Sequence, residues 1–194
     1  GLFPANEETF AWMTQEVDRL GRLVDDIQYL SRIESGQFKL DFQKVDVGQL
    51  VQRVTAQLGF QAQSKQIDLQ VMPFSQPVLA LADADRAAQI LINLVGNAIR
   101  YTPEGGTVRV QVTVADNFAE ICVEDDGIGI PAEALPLLFE RFYRVDQSRS
   151  RTSGGTGIGL TISRHLVWAM GGELTAVSDG PNQGSCFTFT LPLA

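Results

Sequence analysis

The hydrophobic period of this chain changes once, at Gly36, and the change limits the fold to two unlike parts. Before it, Phe10, Met13, Val17, Leu20, Val24 and Ile27 recur at spacings of three and four, with Leu23 and Leu30 widening the stripe. That is the pattern of one bundle-type helix, running to about Ser35 and stopping at Gly36, where a residue tolerant of positive φ belongs. A heptad-like seam needs a partner helix, and the short leader before it supplies none of adequate length. The partner is expected from another chain or from a segment outside the sequence.

After Gly36 short strands alternate with helices. Residues 38–45, 67–72 and 78–82 read as extended, and 48–64 and 85–101 as helical. Segments 107–114 and 119–124 flank Asp116-Asn117, a hairpin-turn pair, and 172–177 and 185–191 flank Gly180-Pro181-Asn182. The expectation is an α+β fold in two layers, with helices packed on one face of a mostly antiparallel sheet. Residues 144–155 are rich in Arg, Ser and Gly without apolar periodicity, and read as a long loop of the kind that serves a site.

Composition excludes several classes. The longest apolar stretches, such as 90–95, fall well short of the ~20 residues that cross a bilayer, and no signal segment opens the chain. We therefore expect a cytoplasmic location and no membrane contact by these residues. A net charge of −8 argues against nucleic acid as a partner, because such binding relies on clustered Lys and Arg. Cys122 and Cys186 lie in strand-like runs without metal-ligand spacing and are expected to be buried free thiols.

Four segments carry chemistry. On the helix ended by Pro103, Asn93, Asn97, Arg100 and Tyr101 project from adjacent positions of one face. Two carboxamides and a cation there suit a Mg-phosphate group, since an amide oxygen ligates a hard cation; a solvated helix face is the plainer alternative. Asp125-Asp126-Gly127-Ile128-Gly129 follows an apolar strand, so that an acid at a strand end could seat the exocyclic amine of a base, or simply form an acidic turn. Gly154-Gly155-Thr156-Gly157-Ile158-Gly159-Leu160 opens a helix, whose free N–H groups and dipole favour an anion. It has neither the Lys-Ser/Thr of a P-loop nor the preceding strand and final glycine of a dinucleotide fold. Phe139 to Arg144 stands just before the polar loop, where it could anchor the loop and present Arg144 to phosphate, or serve packing alone.

In this order and at these intervals the four segments resemble the boxes of the histidine kinase branch of the gyrase, chaperone and mismatch-repair ATPase superfamily. Residues 93–103 look like its asparagine box, 125–129 its first glycine box, 139–144 its phenylalanine box, 155–159 its second glycine box, and 184–190 its closing strand. The run 20–36 is similar to the second helix of that family's dimerisation hairpin. The resemblance implies a Bergerat-type ATP-binding domain over 37–194, preceded by part of the hairpin over 1–36.

It further implies ATP and Mg²⁺ as ligands. Asn97 would hold the metal, Asn93 and Arg100 would meet phosphates, and Tyr101 would lie against the nucleotide. Asp125 would accept from the adenine amine, and Gly127 and Gly129 would make room for the base. Arg144 would meet the outer phosphates, with Asn97 and Arg144 as the catalytic pair. Gly155, Gly157 and Gly159 would wrap the triphosphate; Ile130, Phe142, Thr156 and Leu160 belong to the same binding set, and Thr188 is a candidate for the adenine network.

The family's acceptor histidine lies on the hairpin, whereas the single histidine here, His165, follows the second glycine box and lacks that setting. The chain alone is thus expected to bind ATP without labelling itself. The implied function is transfer of the γ-phosphoryl group of ATP to a histidine of the hairpin, then to an aspartate of a response regulator, by a protein that dimerises through the hairpin. A nucleotide-responsive module without phosphoryl transfer is the alternative. A gyrase-type hydrolase is disfavoured, because the residue four before Asn97 is Asn93 and cannot act as the general base that activates water.

Overall fold

The computed structural model describes residues 7–34, 39–74, 76–145 and 156–194. Gly36 and Phe38, with the boundary drawn between positions 36 and 37, lie outside the described residues, as do 146–155.

Helix α1 (Glu7–Glu34) is continuous, and its expected seam faces solvent: Phe10, Met13, Val17, Leu20, Val24 and Ile27 are 47% to 66% exposed. Its C-terminal turns dock on the second part. Leu30 is buried there, Tyr29 Oη donates to Gln89 Oε1 at 3.3 Å, and the Arg86 guanidinium lies 5.2 Å from the Tyr29 ring centroid.

The second part runs β1 (Gln43–Asp46), α2 (Val47–Ser64), β2 (Asp68–Val71), β3 (Leu79–Ala82), α3 (Ala84–Tyr101), β4 (Thr107–Ala115) and β5 (Phe118–Asp125). A 3₁₀ turn at Leu135–Leu137 follows, then α4 (Gly159–Ala169), β6 (Leu174–Val177) and β7 (Ser185–Pro192). The main sheet has the order β2-β4-β5-β7-β6, with β2 parallel to β4 and every other pairing antiparallel. Strands β1 and β3 form a separate antiparallel pair.

Strand alternation decides the layers. Val108, Val110, Ala119, Ile121, Val123, Phe187, Phe189 and Leu191 are buried on the side covered by α2, α3 and α4, while Arg109, Gln111 and Thr113 face solvent. Each fully buried large aliphatic or aromatic side chain contributes roughly 1.5–3 kcal/mol over leaving it in water. The expected two-layer α+β architecture is therefore the observed one. The Asp116-Asn117 turn joins β4 to β5 with both residues at positive φ, 46° and 67°, the conformation that matches strand twist in a two-residue hairpin.

One expectation is corrected. Cys122 and Cys186 are not separate buried thiols: they are paired across β5 and β7 and half-buried on the solvent side of the sheet, Cα atoms 6.5 Å apart. Register is the cause, since Cys122 faces Thr188 and Cys186 faces Glu124, which makes the cysteines diagonal neighbours on one face. No helix among the described residues is long and apolar enough to cross a membrane.

Candidate functional site

Helix α3 forms the floor of the site. Asp83 starts it, its Oδ1 accepting from the amides of Asp85 and Arg86 at 3.1 Å, and its apolar stripe of Ile90, Leu91, Leu94, Val95, Ala98 and Ile99 faces the sheet. The stripe leaves the polar residues on the remaining face. Asn93 and Asn97 are half-buried, whereas Arg100 and Tyr101 are exposed. Asn93 Nδ2 donates to Ser163 Oγ of α4 at 2.9 Å, and a Cβ added at Gly159 would come within 2.6 Å of Asn93 Oδ1. A side chain at Gly159 would thus require the Asn93 carboxamide to shift.

At the far end of α3, β5 delivers Asp125. The carboxylate is 7% exposed and accepts from Ser185 Oγ at 2.6 Å and from the Gly127 amide at 2.9 Å. Burial raises its pKa above the ordinary range, and the Ser185 and Gly127 hydrogen bonds oppose that rise, because they favour the charged form. The chain then turns tightly. A Cβ at Gly127 would meet both Asp125 Oδ1 and the Tyr101 carbonyl at 2.6 Å, and Gly129, at φ +65°, lies against the Gly180 carbonyl.

The 127–130 loop is tied to both neighbours. Ile128 N donates to Tyr101 O at 3.2 Å and Asn182 N to Ile128 O at 2.7 Å; Gly184 N donates to Gly127 O at 3.1 Å. Ser178 Oγ accepts from the amide of Ile130, a buried residue, at 3.0 Å and donates to Gly184 O at 2.6 Å. These bonds supply partners for backbone groups that no strand or helix satisfies.

The aromatic segment and the start of α4 form a second cluster. Phe142, at φ 64° and exposed, donates its amide to Gly157 O at 3.0 Å, and a Cβ at Gly157 would meet the Phe142 backbone at 3.0 Å. Thr161 Oγ1 donates to Phe139 O at 2.9 Å. The Arg164 guanidinium lies 5.0 Å from the Phe139 ring centroid and 4.3 Å from that of Trp168. Thr156 Oγ1 reaches back to α1, donating to Asp26 Oδ2 at 2.9 Å. Arg144 and Leu160 are half-buried at the edges of this cluster, and Gly155 lies outside the described residues.

Two sets of candidate residues thus sit along one helix, with Asn97 and Arg100 between them. Asn93, Phe142, Gly157 and Gly159 gather at its middle; Tyr101, Asp125, Gly127, Gly129 and Ile130 gather at its C-terminal end. Thr188 joins neither. It is paired with Cys122 and 3.5 Å from Cys186 Sγ on the solvent face, opposite to Asp125. Ser185 is the β7 residue that meets Asp125, because the two pair directly. Strand alternation applied to the final strand could have found it.

Lys65 was also missed. Its ammonium donates to the carbonyls of Ile99, Arg100 and Thr102 at 2.9, 2.6 and 2.7 Å, and nothing in its local sequence signals this. A groove of about 810 Å³ runs elsewhere, between α2 and β2, but none of the candidate residues lines it. Convergent polar groups, rather than open volume, locate the site.

Residues 82–194 match the family model described as histidine kinase-, DNA gyrase B- and HSP90-like ATPase. The chain is 34% identical over 186 residues to the sensor histidine kinase WalK of Bacillus subtilis, covering 94% of this chain and 30% of that protein. It is 37% identical over 192 residues to the sensor histidine kinase MtrB of Mycolicibacterium paratuberculosis, covering 99% and 34%. It therefore spans about a third of the length of these two relatives. Among solved structures, the Acinetobacter baumannii histidine kinase AdeS is similar with a TM-score of 0.79 at 27% identity, covering 100% of this chain and 88% of that one. Full-length ShkA in complex with AMPPNP has a TM-score of 0.81 at 30% identity, covering 99% and 40%.

Proposed function

Since the chain belongs to the histidine kinase-, DNA gyrase B- and HSP90-like ATPase family, we propose that it binds Mg-ATP across α3 and delivers the γ-phosphoryl group to a histidine outside these 194 residues. It is an ATP-binding domain of the histidine kinase type, homologous to sensor histidine kinases.

The observation that carries it is the buried Asp125 carboxylate at the end of β5. It accepts two hydrogen bonds from Ser185 and Gly127, and a carboxylate has about four lone-pair sites, so it retains capacity for an amino donor. An adenine amine is the donor we assign to it. Gly127 and Gly129 keep the approach clear of side chains, and Ile130 and Tyr101 offer apolar surface to the base.

Nearer the middle of α3, Thr156, Gly157, Gly159 and Leu160 stand at the start of α4, where free amides and the helix dipole favour phosphate, and Gly155 belongs to the same set by its sequence position alone. Arg100 and Arg144 supply cations, Phe142 fixes the turn that leads to Arg144, and the half-buried Asn97 amide oxygen suits a hard cation. Mg²⁺, when bound, would neutralise phosphate charge and fix its orientation. The chain's own part is to position the triphosphate and exclude water from it.

Asn93 supports transfer over hydrolysis. A carboxamide is no general base, and this one already donates to Ser163. His165 is no candidate acceptor: its Nδ1 donates to Thr161 O at 2.9 Å, one turn back on α4, and its ring stacks edgewise on Trp168. In our reading the acceptor lies on the hairpin to which α1 belongs, α1's exposed seam pairs in a homodimer, and the phosphoryl group passes to a response regulator aspartate.

Calorimetric titration with a non-hydrolysable ATP analogue, with and without Mg²⁺, tests the reading. We expect saturable binding that depends on Mg²⁺ and is lost in Asn97→Ala; no binding by the parent chain would overturn it.

A further inference from the structure

Lys65 lies outside every motif described above, yet its side chain ends on the helix that carries four of the candidate residues. Its backbone is held in place by the end of α2. Gln66 adopts φ 56°, Ile67 N donates to Ala62 O at 2.9 Å and Gln66 N to Gln63 O at 2.9 Å, the paired bonds of a Schellman stop. Ile67 is buried, which anchors the turn in the core. The side chain therefore leaves a fixed point and reaches the end of α3.

The last carbonyls of α3 can be accounted for one by one. The Ala98 carbonyl accepts from Thr102 N and Thr102 Oγ1, and that of Tyr101 from Ile128 N. Those of Ile99, Arg100 and Thr102 accept from the Lys65 ammonium. Helix ends leave such carbonyls without intrahelical partners, and a cation there also complements the dipole. This segment bears Arg100 and Tyr101, and it holds the 127–130 loop through the Tyr101 carbonyl.

We propose that Lys65 is a positioning residue of the nucleotide site, its ammonium locking the C-terminal turn of α3 so that Arg100, Tyr101 and the Asp125 loop keep one geometry. The inference rests on the ATP-binding reading given above. The ammonium is partly desolvated and close to Arg100, and both effects lower its pKa, so the charge is held there at a cost that the three acceptors offset.

The test compares binding of the Mg²⁺ complex of a non-hydrolysable ATP analogue by the parent chain, Lys65→Met, Lys65→Arg and Val54→Ala, with the melting temperature of each. Val54 is buried on α2 away from the site, and its truncation controls for lost stability. We expect Lys65→Met to weaken binding about tenfold, as a displaced positioning group does, Lys65→Arg to restore most of it, and Val54→Ala to bind like the parent despite a lower melting temperature. Lys65→Met binding within about twofold of the parent, or Val54→Ala weakening it equally, would overturn the proposal. Failure of the parent to bind would remove the ATP reading together with this one, whereas parent binding lost in Asn97→Ala but kept in Lys65→Met would remove Lys65 alone.

Discussion

Ser185 Oγ donates a 2.6 Å hydrogen bond to Asp125 Oδ2, at the register position where β5 and β7 place the two residues directly opposite each other. A hydrogen bond to a charged group contributes about 1.5–3 kcal/mol. Ser185→Ala should therefore weaken ATP-analogue affinity roughly tenfold, while Thr188→Val, on the solvent face, should leave it unchanged. Titration calorimetry of both variants checks the pair; the reverse order of effects would return Thr188 to the adenine network.

Asp125 also sets a pH dependence. Its pKa in the folded protein lies above the ordinary value, so the fold favours the protonated form. Its contribution to folding stability is then full below the unfolded pKa and declines as pH rises to the folded one. Nucleotide binding has the opposite sign, because only the carboxylate offers both oxygens as acceptors. Affinity should fall on acidification, at a higher pH than an exposed aspartate would dictate. Asp125→Asn should flatten that profile and reduce discrimination of ATP from GTP.

The chain should not label itself. With His165 bonded back to Thr161 on α4, incubation with ATP labelled in the γ-phosphoryl group should leave the purified chain unlabelled. A hairpin peptide or longer chain that supplies an acceptor histidine should take up label. Labelling of His165 in the chain alone would defeat the assignment of the acceptor to the hairpin.

Gly184 and Gly129 hold positive φ against carbonyl oxygens of Asp125 and Gly180 respectively. An alanine at either position meets both a backbone penalty and a steric one, at least about 1 kcal/mol. Melting temperatures of Gly184→Ala and Gly129→Ala should fall, and nucleotide affinity with them. Gly180→Ala, at φ 118° with nothing within 4 Å of its added Cβ, meets the backbone penalty without the steric one and should affect binding less.

Docking of α1 depends on a small set of contacts. Leu30→Ala removes its buried anchor, at a cost of about 2–5 kcal/mol for such a truncation, and Asp26→Ala removes the bond to Thr156. Amide exchange along α1 should accelerate in Leu30→Ala while β5 and β7 stay protected. Unchanged exchange in α1 would mean that its order does not come from this contact.

Much of this protein was readable in one dimension because the signals are local. The stripe of α1, the helix between Asp83 and Pro103, the Asp116-Asn117 hairpin and the glycine loops each follow from periods or turn chemistry within about ten residues. Asp125, Gly127 and Gly129 come together for that reason. What pairing decides is different in kind. The partner of Asp125 stands 60 residues later and is selected by strand register, where a shift of one residue turns every side chain to the other face. Hence Ser185 rather than Thr188 faces Asp125, and the cysteines meet on the solvent side. Lys65 reaches carbonyls 34 to 37 residues away only because α2 and α3 pack side by side. The sequence by itself determined which elements form and which residue types they present; the packing of those elements alone decided which of those residues meet.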